Sequence, residues 1–169
     1  MENKNITLPI EELEKRFLAA LPVASAAIGA EAVNFALDNF KNQGFTGAAF
    51  QPWPPRKNPT AWGTAPARAS RSLLVDSGTL KGSIRVLRSN AEEVVIGTDV
   101  PYAKAHNEGF KGQVVQEVKA FTRRNGQSVK AFTRTINQNI PQRQFIGDSP
   151  YLMQRAKRMF ISIMMKQLK

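Results

Sequence analysis

Val118-Lys119-Ala120-Phe121-Thr122-Arg123 and Val129-Lys130-Ala131-Phe132-Thr133-Arg134 are two copies of one hexapeptide, separated by Arg124-Asn125-Gly126-Gln127-Ser128. Asn-Gly between two β-prone runs is a strong short-range hairpin signal. With Asn125 and Gly126 as the turn, Phe121 faces Lys130 and Lys119 faces Phe132. One face then carries Phe121, Phe132, Lys119, Lys130 and Arg123, and the other Val118, Ala120, Val129 and Ala131. Two copies do not make a solenoid, which needs at least three units. The repeat predicts a long antiparallel hairpin over 113–135, and the rest of the chain is read around it.

Upstream, Ser72 to Asp99 reads as a helical turn and then a shorter hairpin. Ser77-Gly78 sits where the chain changes direction, Ile84, Val86 and Leu87 form one strand, and Val94, Val95 and Ile96 form the next. Asn90-Ala91-Glu92 supplies the turn, and Gly97 ends the second strand. Pro101 fits the first turn of a short helix carrying Tyr102, Ala105 and His106. Downstream, Ile140 to Gly147 reads as a bend or short strand. Ser149 caps a last helix with Pro150 in its first position. Leu152, Ala156, Met159, Phe160, Ile163 and Met164 make that helix's buried stripe, and Arg155, Lys157, Arg158, Lys166 and Lys169 make it basic.

The N-terminal third reads as two helices. Pro9 to Leu21 carries Leu13, Phe17 and Leu21 at helical spacing, with Glu11, Glu12 and Glu14 in its first turns, and Pro22 breaks it. Val23 to Phe40 carries Val23, Ala26, Ala30, Val33, Leu37 and Phe40 as one apolar stripe, for the core or for a neighbouring subunit. Gly44 is its C-terminal stop. Between Gly44 and Arg71 lie Pro52, Pro54, Pro55, Pro59 and Pro66 with Trp53, Trp62, Arg56, Lys57 and Arg68. Proline at this density forbids helix and interior strand, while two indoles argue that part of the segment packs on something. It is read as an extended segment lying on the domain or on a neighbouring subunit, or else as a surface loop.

The predicted fold class is therefore α+β: a small antiparallel sheet with a long hairpin, packed against N-terminal helices and a C-terminal helix. It is one domain over 1–169, divided into 1–43, 44–71, 72–147 and 148–169. A chain of 169 residues with 42% hydrophobic and 22% charged content buries a sufficient core without staples. Its lack of cysteine excludes disulfides, thiolate catalysis and thiolate metal sites. The polar start Met1-Glu2-Asn3-Lys4-Asn5 does not resemble a signal peptide, and the apolar stretch Leu18 to Ala30 is too short to cross a bilayer, so no membrane partner is expected.

A net charge of +11 attracts nucleic acid, anionic membrane or an acidic protein. Lys119, Phe121, Arg123, Arg124, Lys130, Phe132 and Arg134 make the hairpin the candidate interaction element. Cations beside stacking rings suit single-stranded nucleic acid, but an exposed arm that buries its phenylalanines on another protein subunit is the favoured reading. Catalytic chemistry finds no footing. His106 has only Glu108 and Asp99 near it in sequence, which is not a metal pattern, and it is expected to be a hydrogen-bonded residue at a helix end. Ser77, His106 and Asp76 assemble into a triad only on paper, without a Gly-x-Ser-x-Gly elbow. The phosphate-binding glycine motifs do not occur, and no cofactor is expected.

What remains is an ordered series of short motifs. They are Leu73-Leu74-Val75-Asp76-Ser77-Gly78-Thr79-Leu80, Ile96-Gly97-Thr98, Pro101-Tyr102-Ala103 running to His106-Asn107-Glu108-Gly109, and Ile140-Pro141-Gln142-Arg143-Gln144-Phe145-Ile146-Gly147. In this order, they resemble the phage virion morphogenesis family, the tail-completion proteins of Mu-like phages and their prophage relatives. The likeness runs from Trp53 into the last helix. It makes Leu74, Gly78, Leu80, Gly97, Tyr102, His106, Gly109, Pro141, Arg143 and Phe145 structural signatures with no catalytic role. Gln144 and Asn107-Glu108 depart from the usual pattern. The resemblance implies a non-enzymatic virion protein, assembled in the host bacterial cytoplasm and acting in tail completion or head–tail joining. It implies other tail or neck proteins as partners and a homo-oligomeric ring. A basic nucleic-acid-binding module using the hairpin, in non-specific contact with DNA, is the alternative.

Overall fold

The computed structural model describes residues 9–56 and 71–168. Lys57, Pro59, Trp62, Pro66, Arg68, Lys169 and the stretch from Met1 to Asn5 lie outside the described residues. The architecture is α+β, as the sequence predicts, with antiparallel strand pairs between an N-terminal and a C-terminal helix.

The spine is one helix, α1 (Ile10–Asn42), not two. Pro22 lies inside it and does not break it. Proline there removes one helical N–H, but its ring faces solvent while Ala20 and Ala24 on either side are buried. Packing on that small-residue face outweighs the lost bond. The apolar segment from Leu18 is therefore not cut short. By its length and by an 18-residue window of mean hydropathy 1.5, α1 is long and apolar enough to cross a bilayer. Here it serves as the support for the other elements, with Glu31 and Asn39 among its buried residues.

The buried face of α1 also differs from the expected stripe. Val23, Ala26 and Ala30 are exposed, and Ala20, Ala24, Ala32, Phe35, Ala36, Asn39 and Phe40 are buried. Alanines at many positions leave the helical phase ambiguous, and α1 is covered from more than one side. Its helical turns end at Gln43, which takes the left-handed conformation (φ 57°), one residue before the expected Gly44. Gly44 instead opens β1 (Gly44–Thr46), where a Cβ would collide with the Phe50 ring of β2 (Phe50–Pro52).

After the short α2 (Thr79–Gly82), β3 (Arg85–Ser89) and β4 (Val94–Gly97) pair antiparallel with a bulge between Val86 and Arg88. Asn90 Oδ1 closes their turn by accepting from the Glu92 and Glu93 N–H groups, each at 2.8 Å. This hairpin lies on α1 where Gly29 allows close approach, since a Cβ there would sit 3.0 Å from Val86 Cγ2. Next come α3 (Ala103–Asn107) and the long hairpin of β5 (Phe110–Val118) and β8 (Phe132–Ile140), tipped by β6 (Phe121–Thr122) and β7 (Ser128–Val129). Then α4 (Pro150–Gln167) begins as expected: Ser149 Oγ accepts from Leu152 N–H at 3.1 Å, with Pro150 in the first turn.

α4 runs back along α1. Tyr151 meets Phe35, Arg155 lies beside Glu31, and Met164 packs on Ala20 and Ala24. Its half-buried residues Leu152, Ala156, Met159, Phe160 and Ile163 are those of the expected stripe. The main core lies at the other end of α1: Ala36, Phe40, Trp53, Leu80, Ile84, Ala103 and Phe145.

The long hairpin departs from the predicted register. Phe121 pairs with Val129, not Lys130, and Val118 pairs with Phe132. Arg123 N–H donates to Gln127 O and Gly126 N–H to Arg123 O, with Gly126 at φ +84°. Asn125-Gly126 therefore belongs to a longer loop with glycine in the left-handed position, not to a two-residue turn. That extra residue moves every partner by one. Phe121 and Phe132 therefore do not share one continuous ladder: Phe121 lies opposite Val129 in the tip pair and Phe132 opposite Val118 in the long pair.

Candidate functional site

Leu74, Gly78, Leu80, Tyr102, His106, Arg143 and Phe145, scattered over the sequence, converge on the C-terminal end of α1. Phe145 is the pivot. Its side chain is 1% exposed, with its ring 5.1 Å from that of Phe40. Its backbone is held from two sides: Asn39 Nδ2 donates to Phe145 O at 3.2 Å, and Asn107 Oδ1 accepts from Phe145 N at 2.9 Å and Ile146 N at 3.0 Å. Trp53 packs edge-on to Phe40 and donates from Nε1 to Gln144 O at 2.7 Å, so the start of the proline-rich segment lies on the domain.

Above this core opens a cleft of about 440 Å³, lined by Leu74, Gly78, Leu80, Tyr102, His106 and Arg143 together with Arg56 and the 73–79 turn. Two left-handed residues shape that turn, Leu74 at φ 58° and Gly78 at φ +82°. Nothing lies within 4 Å of a Cβ at Gly78, so backbone conformation and not space calls for glycine there. Gln43 ties the turn to α1: its Oε1 accepts from Leu73 N–H, and its Nε2 donates to Phe40 O at 2.6 Å.

Arg143 joins three segments. Its backbone N–H donates to His106 O at 2.8 Å, Nε donates to Pro54 O at 3.0 Å and Nη2 to Pro55 O at 3.2 Å. Burial, then the nearby Arg56 charge, lowers its pKa from the ordinary arginine value. The guanidinium acts as a clamp on carbonyl oxygens, its Nε and Nη2 donors meeting two successive carbonyls of the Pro54–Pro55 segment.

His106 differs from its expected role. Tyr102 sits edge-on to it at 5.9 Å, but its buried Nδ1 has no hydrogen-bond partner among the described residues. Burial, then the Arg143 charge, pushes its pKa below 6.5. The unfolded chain therefore binds this proton more readily than the folded one. Stability from this residue is present above pH 6.5 and is lost as pH falls toward the folded value. His106→Gln is expected to flatten that part of the stability–pH curve, as read from urea midpoints of both proteins between about pH 5 and 8.

Ser77, Asp76 and His106 line the same cleft yet form no relay. Ser77 Oγ bonds Thr79 Oγ1 at 2.7 Å, Asp76 is held by Arg71, and His106 Nδ1 has no partner among the described residues. Among the described residues no three His, Cys, Asp or Glu side chains gather as metal ligands. The remaining signatures lie elsewhere. Gly97 sits in β4 against Leu87, while Gly109 (φ +79°) and Pro141 mark the root of the long hairpin, where a Cβ on Gly109 would lie 3.1 Å from Gln142 N. The hairpin residues Lys119, Phe121, Arg123, Arg124, Lys130, Phe132 and Arg134 are all exposed and none lines the cleft.

Sequence reasoning missed the polar braces Asn39, Gln43 and Asn107. The one signal for Asn39 is a polar residue set between Leu37 and Phe40 in an apolar helix.

Comparison with curated proteins and with solved structures gives no match. The family model of the phage virion morphogenesis family matches residues 1–169, the whole chain. The match covers every element described above: the chain belongs to the phage virion morphogenesis family, as a structural protein of the bacteriophage virion.

Proposed function

We propose that this virion protein acts in tail completion or head–tail joining, as a ring held by protein–protein contacts, assembled in the host bacterial cytoplasm. The observation that carries this reading is the long hairpin. β5 and β8 pair over nine residues each, yet no residue from 110 to 140 is buried. A two-stranded hairpin is marginal on its own in water. An arm of this length gains order by lying on another subunit, and head-to-tail contacts that close give rings. The signature residues are occupied in shaping the chain path, which supports an architectural role over a catalytic one.

The nucleic-acid alternative rests on the hairpin's charge: Lys119, Arg124 and Lys130 are in no ion pair among the described residues. The placement of Phe121 and Phe132 in two separate strand pairs works against a shared stacking track.

Light scattering and single-stranded DNA binding, each followed from low to high salt, separate the two readings. Assembly through apolar contacts is expected to persist in high salt. A protein that stays monomeric throughout, while binding DNA with an affinity that falls steeply with salt, would reverse the choice.

A further inference from the structure

We propose that the apolar face of the β5–β8 hairpin docks on the N-terminal end of α1 in a second copy of this chain, and that this contact is the joint of the ring. The proposal rests on the ring reading above and names its two surfaces.

The first surface follows from the register. Phe110 lies opposite Ile140, Val114 opposite Ile136, and Val118 opposite Phe132. Directly opposed residues share a face, so these six form one apolar strip, interrupted by Gly112 with Gln138 and by Gln116 with Arg134. The Arg134 Nε donates to Gln116 Oε1 at 2.9 Å, which keeps that crossing polar but satisfied. The opposite face carries Lys111, Gln113, Glu117, Thr133, Thr135, Asn137 and Asn139, with Val115 its single large apolar residue. One side of the arm is thus built for contact and the other for water, yet Phe110 and Phe132 remain 38% and 43% exposed.

The second surface is the start of α1. Its partner helix α4 places Arg155 by Glu31 and Met164 by Ala20 and Ala24, and ends at Gln167. The first turns of α1 reach past that end, and every residue from 9 to 19 is exposed. Ile10, Leu13 and Phe17, at helical spacing, continue the Ala20 and Ala24 face into solvent. An apolar helical strip with no neighbour among the described residues is the counterpart an apolar sheet face can cover.

Charge selects this pairing. Between 110 and 140 the hairpin carries Lys111, Lys119, Arg123, Arg124, Lys130 and Arg134 against Glu117 alone. The start of α1 carries Glu11, Glu12 and Glu14 against Lys15 and Arg16, and Arg16 is taken by Glu12 at 2.9 Å. In a chain of net charge +11, this is a local excess of carboxylate placed beside an exposed apolar strip.

Position makes the contact intermolecular. The hairpin's root adjoins Phe145 and Phe40 at the C-terminal end of α1, roughly 40 Å from Leu13 along the helix axis. Complementary surfaces at opposite ends of one molecule join head to tail.

Sedimentation velocity on two double variants tests this: Val114→Asp with Ile136→Asp on the arm, and Leu13→Asp with Phe17→Asp on α1. All four sites are outside the buried core, and circular dichroism melts check that both variants fold. Each variant alone is expected to self-associate about a hundredfold or more weakly than the wild type. An equimolar mixture of the two is expected to form a heterodimer and nothing larger, because one intact arm meets one intact helix end. Wild-type assembly that neither variant weakens overturns the contact and leaves the ring reading standing. Weakening by the arm variant alone, or a mixture that stays monomeric, also overturns the contact. A wild type that is monomeric at every concentration overturns the ring reading and the contact together.

Discussion

Phe145→Ala is expected to lower unfolding stability by about 3–5 kcal/mol. The ring is 1% exposed and lies in the cluster with Phe40, Trp53, Leu80 and Ala103. Deleting it forfeits the transfer term and leaves a cavity that these neighbours cannot readily fill. Phe40 is pinned between two other rings, with Trp53 at 5.4 Å and Phe145 at 5.1 Å. The Trp53 indole is anchored to Gln144 O, next to the vacated position. Collapse would have to break that hydrogen bond, so the cost belongs at the upper part of the range. Phe132→Ala is the matched control. It removes the same ring from an exposed strand, where the residue is 43% exposed, and is expected to shift stability by less than about 1 kcal/mol. Urea melts of both variants, followed by circular dichroism, give the comparison directly. Equal losses would mean that the hairpin is part of the folded core.

The contrast also shows what the sequence made legible. Local signals held where one physical rule acts alone. Ser149-Pro150 specifies a helix start by supplying an acceptor to Leu152 N–H, and Asn90 specifies a turn by accepting two backbone donors. Where two rules compete, sequence alone picked the wrong winner. Pro22 signals a break, but the burial of Ala20 and Ala24 against Met164 holds the helix through it. Asn125-Gly126 fits both a two-residue turn and a longer loop with Gly126 left-handed, and the choice shifts the register of the arm. The predicted basic-aromatic face is thereby split, and an apolar strip stands in its place.

The cleft was legible only as a list of motifs. That Leu74, Gly78, Tyr102, His106 and Arg143 meet depends on braces that leave no periodic mark. Asn39, Gln43 and Asn107 each reach a backbone group far away in sequence: Phe145, Leu73 and Ile146. A hydrogen bond between a side chain and a distant carbonyl or N–H has no spacing rule to betray it.

Asn39→Asp is expected to cost about 3–5 kcal/mol at neutral pH, although it changes one atom and almost no volume. Asn39 is 1% exposed and uses both ends of its amide: Nδ2 donates to Phe145 O at 3.2 Å, and Oδ1 accepts from Thr46 N–H at 3.2 Å. A carboxylate keeps the acceptor and loses the donor. It then sets a charged oxygen against the Phe145 carbonyl in a site without water access. Desolvation and that carbonyl both raise the introduced carboxyl's pKa above its unfolded value near 3.9. The native state therefore holds the proton more tightly than the unfolded state. By linkage, the penalty is smallest below about pH 4 and grows as pH rises through the folded pKa. Once protonated, the group regains a donor for Phe145 O, so the gap to wild type is expected to narrow sharply in acid. Asn39→Ala has no such recovery, since it leaves the Thr46 N–H and the Phe145 carbonyl unpaired at every pH. Parallel melts of the three proteins at about pH 4 and pH 7 separate the causes. A gap for Asn39→Asp that does not change with pH would mean that the site admits water, and that α1 is not locked to the Phe145 segment by this residue.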